Sequence, residues 1–160
     1  MKTFPFRTTS KRLLADTITP VSIYLKIRDI YPNSILLESS DYHGNENSYS
    51  FICLNPVATF MVDAGVYSAT FPDGSSVQGE LVSFEKQFTA FKQCFRPSQT
   101  EDKIPVNGFF GYMAYDAVCY FENISLKAPV KEEYKIPDVR YSFYKTIIAI
   151  NHFQNVLHII

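Results

Sequence analysis

This sequence has no basic excess, no apolar run of membrane length and no paired cysteines, and each lack removes a class of function. The formal net charge is -1, so nothing in the charge balance asks for a nucleic acid or an anionic membrane as partner. No apolar run approaches the roughly 20 residues of a membrane span. Met1 to Lys11 is basic and polar without an apolar core segment, which reads against a signal peptide. Cys53, Cys94 and Cys119 are odd in number and far apart. They sit in apolar segments and are expected to be reduced, buried thiols of a cytoplasmic protein. Neither a CxxC pair nor a Cys/His spacing points to zinc. His43, His152 and His158 form no close cluster along the chain.

Catalytic signatures are equally scarce. There is no GxSxG, no HExxH and no P-loop, so the short motifs of serine hydrolases, zinc proteases and nucleotide hydrolases are missing. Gly108-Phe109-Phe110-Gly111 is glycine-punctuated but lacks the GxGxxG spacing of a dinucleotide site. Asp116 and Glu122 stand six apart and could pair as acid and base only through a tertiary contact. A surface or capping role is the plainer reading of both. No internal repeat is visible.

What is there is a core. Hydrophobic residues make up 46% of 160 and charged residues 19%, enough for one folded domain. Thr19-Pro20 reads as a helix start, with Thr19 as cap and Pro20 at the first helical position. Ile23, Ile27 and Ile30 follow at helical spacing, and Pro32 ends the segment. Ser34 to Ser39 reads as a short buried strand. Tyr49 to Leu54 and Val57 to Val62 read as two strands separated by Asn55-Pro56. Asp63-Ala64-Gly65 and Asp73-Gly74 are turn signals around a strand at Val66 to Phe71, giving an antiparallel meander. Leu81, Phe84, Phe88, Phe91 and Phe95 recur at steps of three and four, which predicts one helix packed on the sheet. Pro97 to Pro105 reads as a polar loop, Ala114 to Glu122 as a short helix and Asn123 to Pro137 as a long connection. Asp138 to Ile150 is expected to be a long strand. After a turn at Asn151 to Asn155, Val156 to Ile160 starts another. The expected fold is α+β, a mostly antiparallel sheet with packed helices. The chain stops inside that last apolar run. It is therefore expected to be cut from a longer protein, with an exposed, self-associating strand edge at Val156 to Ile160.

Three segments carry a resemblance. The first is Thr19-Pro20-Val21-Ser22-Ile23-Tyr24 leading to Ile35-Leu36-Leu37-Glu38-Ser39. The second is Ser48-Tyr49-Ser50-Phe51-Ile52-Cys53-Leu54-Asn55-Pro56. The third is Gly108-Phe109-Phe110-Gly111-Tyr112-Met113-Ala114-Tyr115-Asp116, followed by Tyr120-Phe121-Glu122. In this order and spacing they resemble the N-terminal region of anthranilate synthase component I, the large subunit. The turn at Asn151-His152-Phe153 is similar to that family's turn after its long strand.

The resemblance implies an oxo-acid lyase of tryptophan biosynthesis that converts chorismate and ammonia to anthranilate and pyruvate. A partner glutamine amidotransferase subunit supplies the ammonia. The chorismate and Mg2+ sites belong to the family's C-terminal part, so no catalytic or metal-binding residue is expected in residues 1–160, and this piece alone is expected to be inactive. The same resemblance implies feedback inhibition by L-tryptophan, with Leu37, Glu38, Ser39 and Ser48 at the inhibitor site. Ser48 stands where the family usually carries Arg or Lys, and Asn107-Gly108 stands where it usually carries Gly-Gly. Two other readings stay open: the related large subunit of aminodeoxychorismate synthase, in folate synthesis, and a ligand-binding module with no enzyme attached. The gene sequence beyond Ile160 separates module from enzyme.

Overall fold

The computed structural model describes residues 2–38, 48–100, 107–124 and 135–160. Among these lie ten strands, two α-helices and one 3-10 helix. Every described strand register is antiparallel, so the α+β fold predicted from the pattern is the one observed. The chain divides into two compact units. One comprises Met1–Phe6, Val57–Arg96 and Phe109–Phe143; the other comprises Arg7–Pro56, Pro97–Gly108 and Tyr144–Ile160. The strands β4 (Tyr49–Asp63) and β9 (Val139–Asn151) contribute to both.

In the first unit the later half of β4, β5 (Val66–Thr70) and β6 (Ser76–Glu80) form a meander, with Phe60 opposite Ala69 and Tyr67 opposite Gly79. The β4–β5 turn is made by Ala64 (φ 49°) and Gly65 (φ 76°). Positive φ at both central residues matches the right-handed twist of the flanking strands. At the next turn Gly74 has φ 79°, and Asp73 Oδ1 accepts the Ser75 N–H at 3.0 Å. β8 (Phe109–Met113) pairs with the early half of β9. A 3-10 helix, Tyr115–Tyr120, follows it and buries Ala117.

Helix α2 (Phe84–Lys92) is shorter than its stripe suggests at both ends. Leu81 still belongs to the sheet, because its N–H donates to the Gly65 carbonyl at 2.8 Å. Ser83 then caps the helix by accepting the Lys86 N–H at 3.4 Å. Gln87 reaches back, its Oε1 accepting the N–H groups of Val82 and Ser83 at 3.0 Å each. Two donors at the helix start are thereby satisfied. Phe84 and Phe91 are buried and Phe88 is half-buried, so the stripe packs as predicted. These rings join Phe60, Val62, Phe95, Val139 and Phe143 in one aromatic-rich core. Each fully buried aromatic or aliphatic side chain contributes about 1.5–3 kcal/mol through area removed from water.

The second unit holds β2 (Lys11–Leu14), α1 (Pro20–Ile27), β3 (Ile35–Leu37), the early half of β4, the later half of β9 and β10 (Val156–Ile159). Helix α1 begins as its sequence predicts. Thr19 Oγ1 accepts the Ser22 N–H at 3.1 Å and Ser22 Oγ accepts the Thr19 N–H at 3.2 Å, with Pro20 in the first turn. This reciprocal cap satisfies two donors that the helix cannot. Of its residues only Pro20 is buried, while Val21 and Leu25 are exposed. Ile23 is its contact with a small cluster of Ala15, Ile150 and Leu157.

Several expectations are corrected. Asn55-Pro56 does not divide two strands: β4 is continuous, and Asn55 takes a left-handed conformation (φ 56°) at that point. Asparagine tolerates it better than most residues. Pro97 falls within β7 (Phe95–Thr100), which pairs with β1 (Phe4–Thr8) in a separate two-stranded sheet. β10 is not an open edge, because it pairs with β9 on one side and β2 on the other. The Lys11–Leu14 stretch covers it, and its two basic residues followed by two leucines lack the alternation that signals a strand. Among the cysteines Cys53 and Cys94 are buried as expected, but Cys119 is exposed. Burial pushes the Cys53 thiol up to about 12, which keeps it protonated and unreactive.

Candidate functional site

Of the predicted inhibitor residues, Leu37, Glu38 and Ser48 lie in the second unit. β3 ends at Leu37, whose partner across the ladder is Phe51, with Leu36 opposite Ile52. Leu37 is half-buried and Glu38, the next residue, is exposed. Ser39 lies outside the described residues. Ser48 is buried at 4% exposure, and its carbonyl accepts the His152 N–H at 3.0 Å. The structure thus brings the strand that carries Leu37 against the strand that follows Ser48. Residues 39–47, which join the two strands in the chain, are outside the described residues.

In the sequence Ser50, Asn151 and His152 stand out only as members of motifs and of a turn, and the structure gives them a role in this unit. Ser50 is fully buried, and its Oγ lies 2.7 Å from His152 Nε2. Which atom donates depends on the imidazole tautomer. Asn151 is buried at 1% exposure and its Oδ1 accepts the Gln154 N–H at 2.9 Å, closing the β9–β10 turn. Tyr49 and Phe51, on the other face of β4, stack with ring centroids 5.9 Å apart. A serine hydroxyl at this distance from an imidazole has the spacing of a nucleophile and its base. Full burial of Ser50 keeps any substrate away, so the pair acts as a tie between the β9–β10 turn and the start of β4. A signal existed: Ser48, Ser50 and Ile52 share one face at period two, and a polar pair on a face that continues into the core must be hydrogen-bonded there.

A second polar knot stands in the first unit. Tyr120 donates to Asp138 Oδ2, its hydroxyl oxygen accepts the Gly65 N–H at 2.9 Å, and the same carboxylate oxygen accepts the Ala64 N–H at 3.1 Å. A left-handed alanine costs on the order of 1 kcal/mol, and these bonds hold the turn in that shape. Burial, then the bond to Asp138, pushes the Tyr120 hydroxyl up to about 12. Burial also raises Tyr112. An unfolded tyrosine titrates near ~10, so the folded state retains the Tyr120 proton where the unfolded chain has lost it. Stability from this group is complete below ~pH 10 and declines as pH rises toward about 12. Tyr120→Phe should lower stability by about 0.5–1.5 kcal/mol, because its half-buried partners lose their hydrogen bonds, and should flatten that alkaline decline. Urea titrations of both proteins at neutral and alkaline pH check it; an unchanged midpoint at neutral pH contradicts the role.

Of the two carboxylates considered as an acid/base pair, Asp116 lies half-buried in the 3-10 helix and Glu122 is exposed after it. Among the described residues no three His, Cys, Asp or Glu side chains cluster to hold a metal ion. No described helix is long and apolar enough to cross a membrane.

Compared with known proteins, the chain has the α+β fold of a solved enzyme subunit. It overlays the crystal structure of anthranilate synthase component I from Streptococcus pneumoniae TIGR4 with a TM-score of 0.50 at 19% identity, over 96% of this chain and 32% of that one. At the sequence level it is 30% identical to anthranilate synthase component 1 of Thermus thermophilus over 98% of its own length and 31% of that protein. The Pseudomonas putida protein of the same name is 32% identical over 92% of this chain and 30% of its own. The Lactococcus lactis protein is 27% identical over 89% and 29%. No family profile matches the chain. Over nearly its whole length the chain is thus similar in sequence and fold to part of anthranilate synthase component I. It spans about 30% of the length of the curated relatives it matches.

Proposed function

We propose that this chain is the tryptophan-sensing part of an anthranilate synthase large subunit. The observation that carries the proposal is the 30% identity to the Thermus thermophilus protein over 98% of this chain. The enzyme of which it forms part converts chorismate and ammonia to anthranilate and pyruvate in the cytoplasm, with Mg2+ and chorismate held by another part of the subunit. A glutamine amidotransferase partner supplies the ammonia. The part described here supplies regulation and no catalytic group.

On this reading L-tryptophan binds where β3 leaves the sheet. The Glu38 carboxylate balances the ligand ammonium, the Ser39 hydroxyl hydrogen-bonds its head group, and Leu37 contributes apolar surface to the indole. Ser48 differs from the cation usual at its position, and its burial at 4% exposure supports a site that relies on Glu38 and Ser39. A lysine introduced there would have to desolvate its ammonium or carry it out on its stem.

Ser39→Ala in the complete enzyme tests the reading. Losing one hydrogen bond to a charged group costs roughly 1.5–3 kcal/mol, so the inhibition constant for tryptophan should rise on the order of tenfold or more. Activity without tryptophan should be unchanged. Inhibition that persists at wild-type strength, with catalysis intact, returns Glu38 and Ser39 to the end of an ordinary strand.

A further inference from the structure

Within the first unit, between α2 and the β4–β5–β6 meander, lies a pocket of about 170 Å³. Two of its lining positions are small, Ala69 on β5 and Ala90 on α2. Its walls are rings: Phe60, Tyr67, Phe71 and Phe91. Tyr67 can lie flat here because its neighbour across the ladder is Gly79, where a Cβ would come within 3.1 Å of the ring. Tyr67 stacks on Phe60 at 5.8 Å, and Phe91 meets Phe71 at 5.5 Å and Phe60 at 5.6 Å. The rings are thus fixed by one another and leave the space open. Val77 on β6 and Ala90 are exposed and form the mouth.

The Gln87 and Cys94 side chains in the wall are already committed. The Gln87 amide accepts from Val82 and Ser83 and donates to the Glu80 carbonyl at 2.9 Å. The Cys94 thiol donates to the Ala90 carbonyl at 3.4 Å. No charged side chain lines the pocket. The buried side-chain polar atom without a partner among the described residues, His158 Nδ1, belongs to the other unit. A charged or strongly polar ligand would lose its water without replacement here. Enclosed apolar cavities of roughly 150 Å³ lined by aliphatic side chains and phenylalanine bind benzene, and this pocket shares their apolar lining while opening to solvent past Val77 and Ala90. Ring walls add edge-to-face and offset contacts for a ring guest.

We propose that this pocket is a binding site for a small neutral aromatic molecule of one ring. The site is distinct in residues and chemistry from the one assigned to tryptophan, whose head group needs charged partners.

Toluene is the probe, with benzoate as its charged counterpart, and the melting temperature of the 160-residue chain is the readout. At toluene ten times its dissociation constant the melting temperature should rise by about 3–6 °C, and benzoate should give no rise. Ala90→Leu fills the mouth at an exposed helix position and should abolish the toluene response while the protein stays folded. Glu85→Leu, which adds the same side chain on α2 outside this pocket, should leave the response intact. Should Ala90→Leu fail to fold, Val77→Phe closes the mouth from β6 and is read the same way. No rise with toluene up to its solubility, an equal rise with benzoate, or a wild-type response in the folded filled variant would each overturn the proposal.

Discussion

Gly111→Ala should cost at least about 3 kcal/mol, the range of severe backbone clashes and buried strain, and should remove the β8–β9 pairing. Gly111 sits on β8 opposite Tyr141. A Cβ at this position would lie 1.8 Å from the Arg140 carbonyl oxygen and 2.8 Å from Tyr141 Cα. Both obstacles are backbone, so no rotamer change relieves them. The strand must move away, and its movement releases Phe109, which packs against Phe88, Phe91, Phe95 and Phe143. Domains of this size are stable by roughly 5–15 kcal/mol, so a large share of the margin goes with one methyl group. Urea denaturation followed by circular dichroism measures the loss. A variant within 1 kcal/mol of wild type would mean that the close approach of β8 to β9 is wrong.

Phe60→Ala should be comparably damaging for a different reason. Phe60 is fully buried. Its ring centroid lies 5.8 Å from Tyr67, 6.0 Å from Phe84, 5.3 Å from Phe88 and 5.6 Å from Phe91. Truncation removes the transfer energy of the ring and leaves a cavity that neighbours fixed on two elements cannot fill, about 3–5 kcal/mol together. Phe153, which is 58% exposed, gives the contrast: Phe153→Ala should stay within about 0.5 kcal/mol of wild type. Equal losses at the two positions would refute the assignment of the core.

These two positions differ in what the sequence discloses. The phenylalanine stripe of α2 is a periodic signal, and its burial follows from the pattern alone. So does the start of α1, since Thr19, Pro20 and Ser22 each act within one turn. Gly111 could be seen only as a glycine, because its importance comes from a strand thirty residues away in the chain. The same distinction explains the errors. β2 lies in a basic stretch whose strand character comes from pairing with β10, and the continuity of β4 past Pro56 depends on Asn55 adopting a conformation that tertiary context selects. At the proposed inhibitor site Leu37, Glu38, Ser39 and Ser48 were legible through family resemblance, not through their chemistry. Ser50 and His152 are 102 residues apart, and nothing local announces that they meet. Buried polar partners of this kind are visible only once the registers of the sheet are known.

The thin attachment of α1 has a consequence for time as well as for stability. The helix has 8 residues, too few to persist in water by itself, and it is held by Pro20, by Ile23 and by the Tyr24 hydroxyl, which donates to the Ser34 carbonyl at 3.2 Å, while Val21 and Leu25 face outward. Its amides are therefore released by a local opening that leaves the surrounding sheet intact. Their hydrogen exchange reports a faster and shallower process than that of the strand amides around Ile150 and Leu157, which exchange in deeper openings. Helix α1, the element before β3 in the chain, should therefore open more readily than those strands.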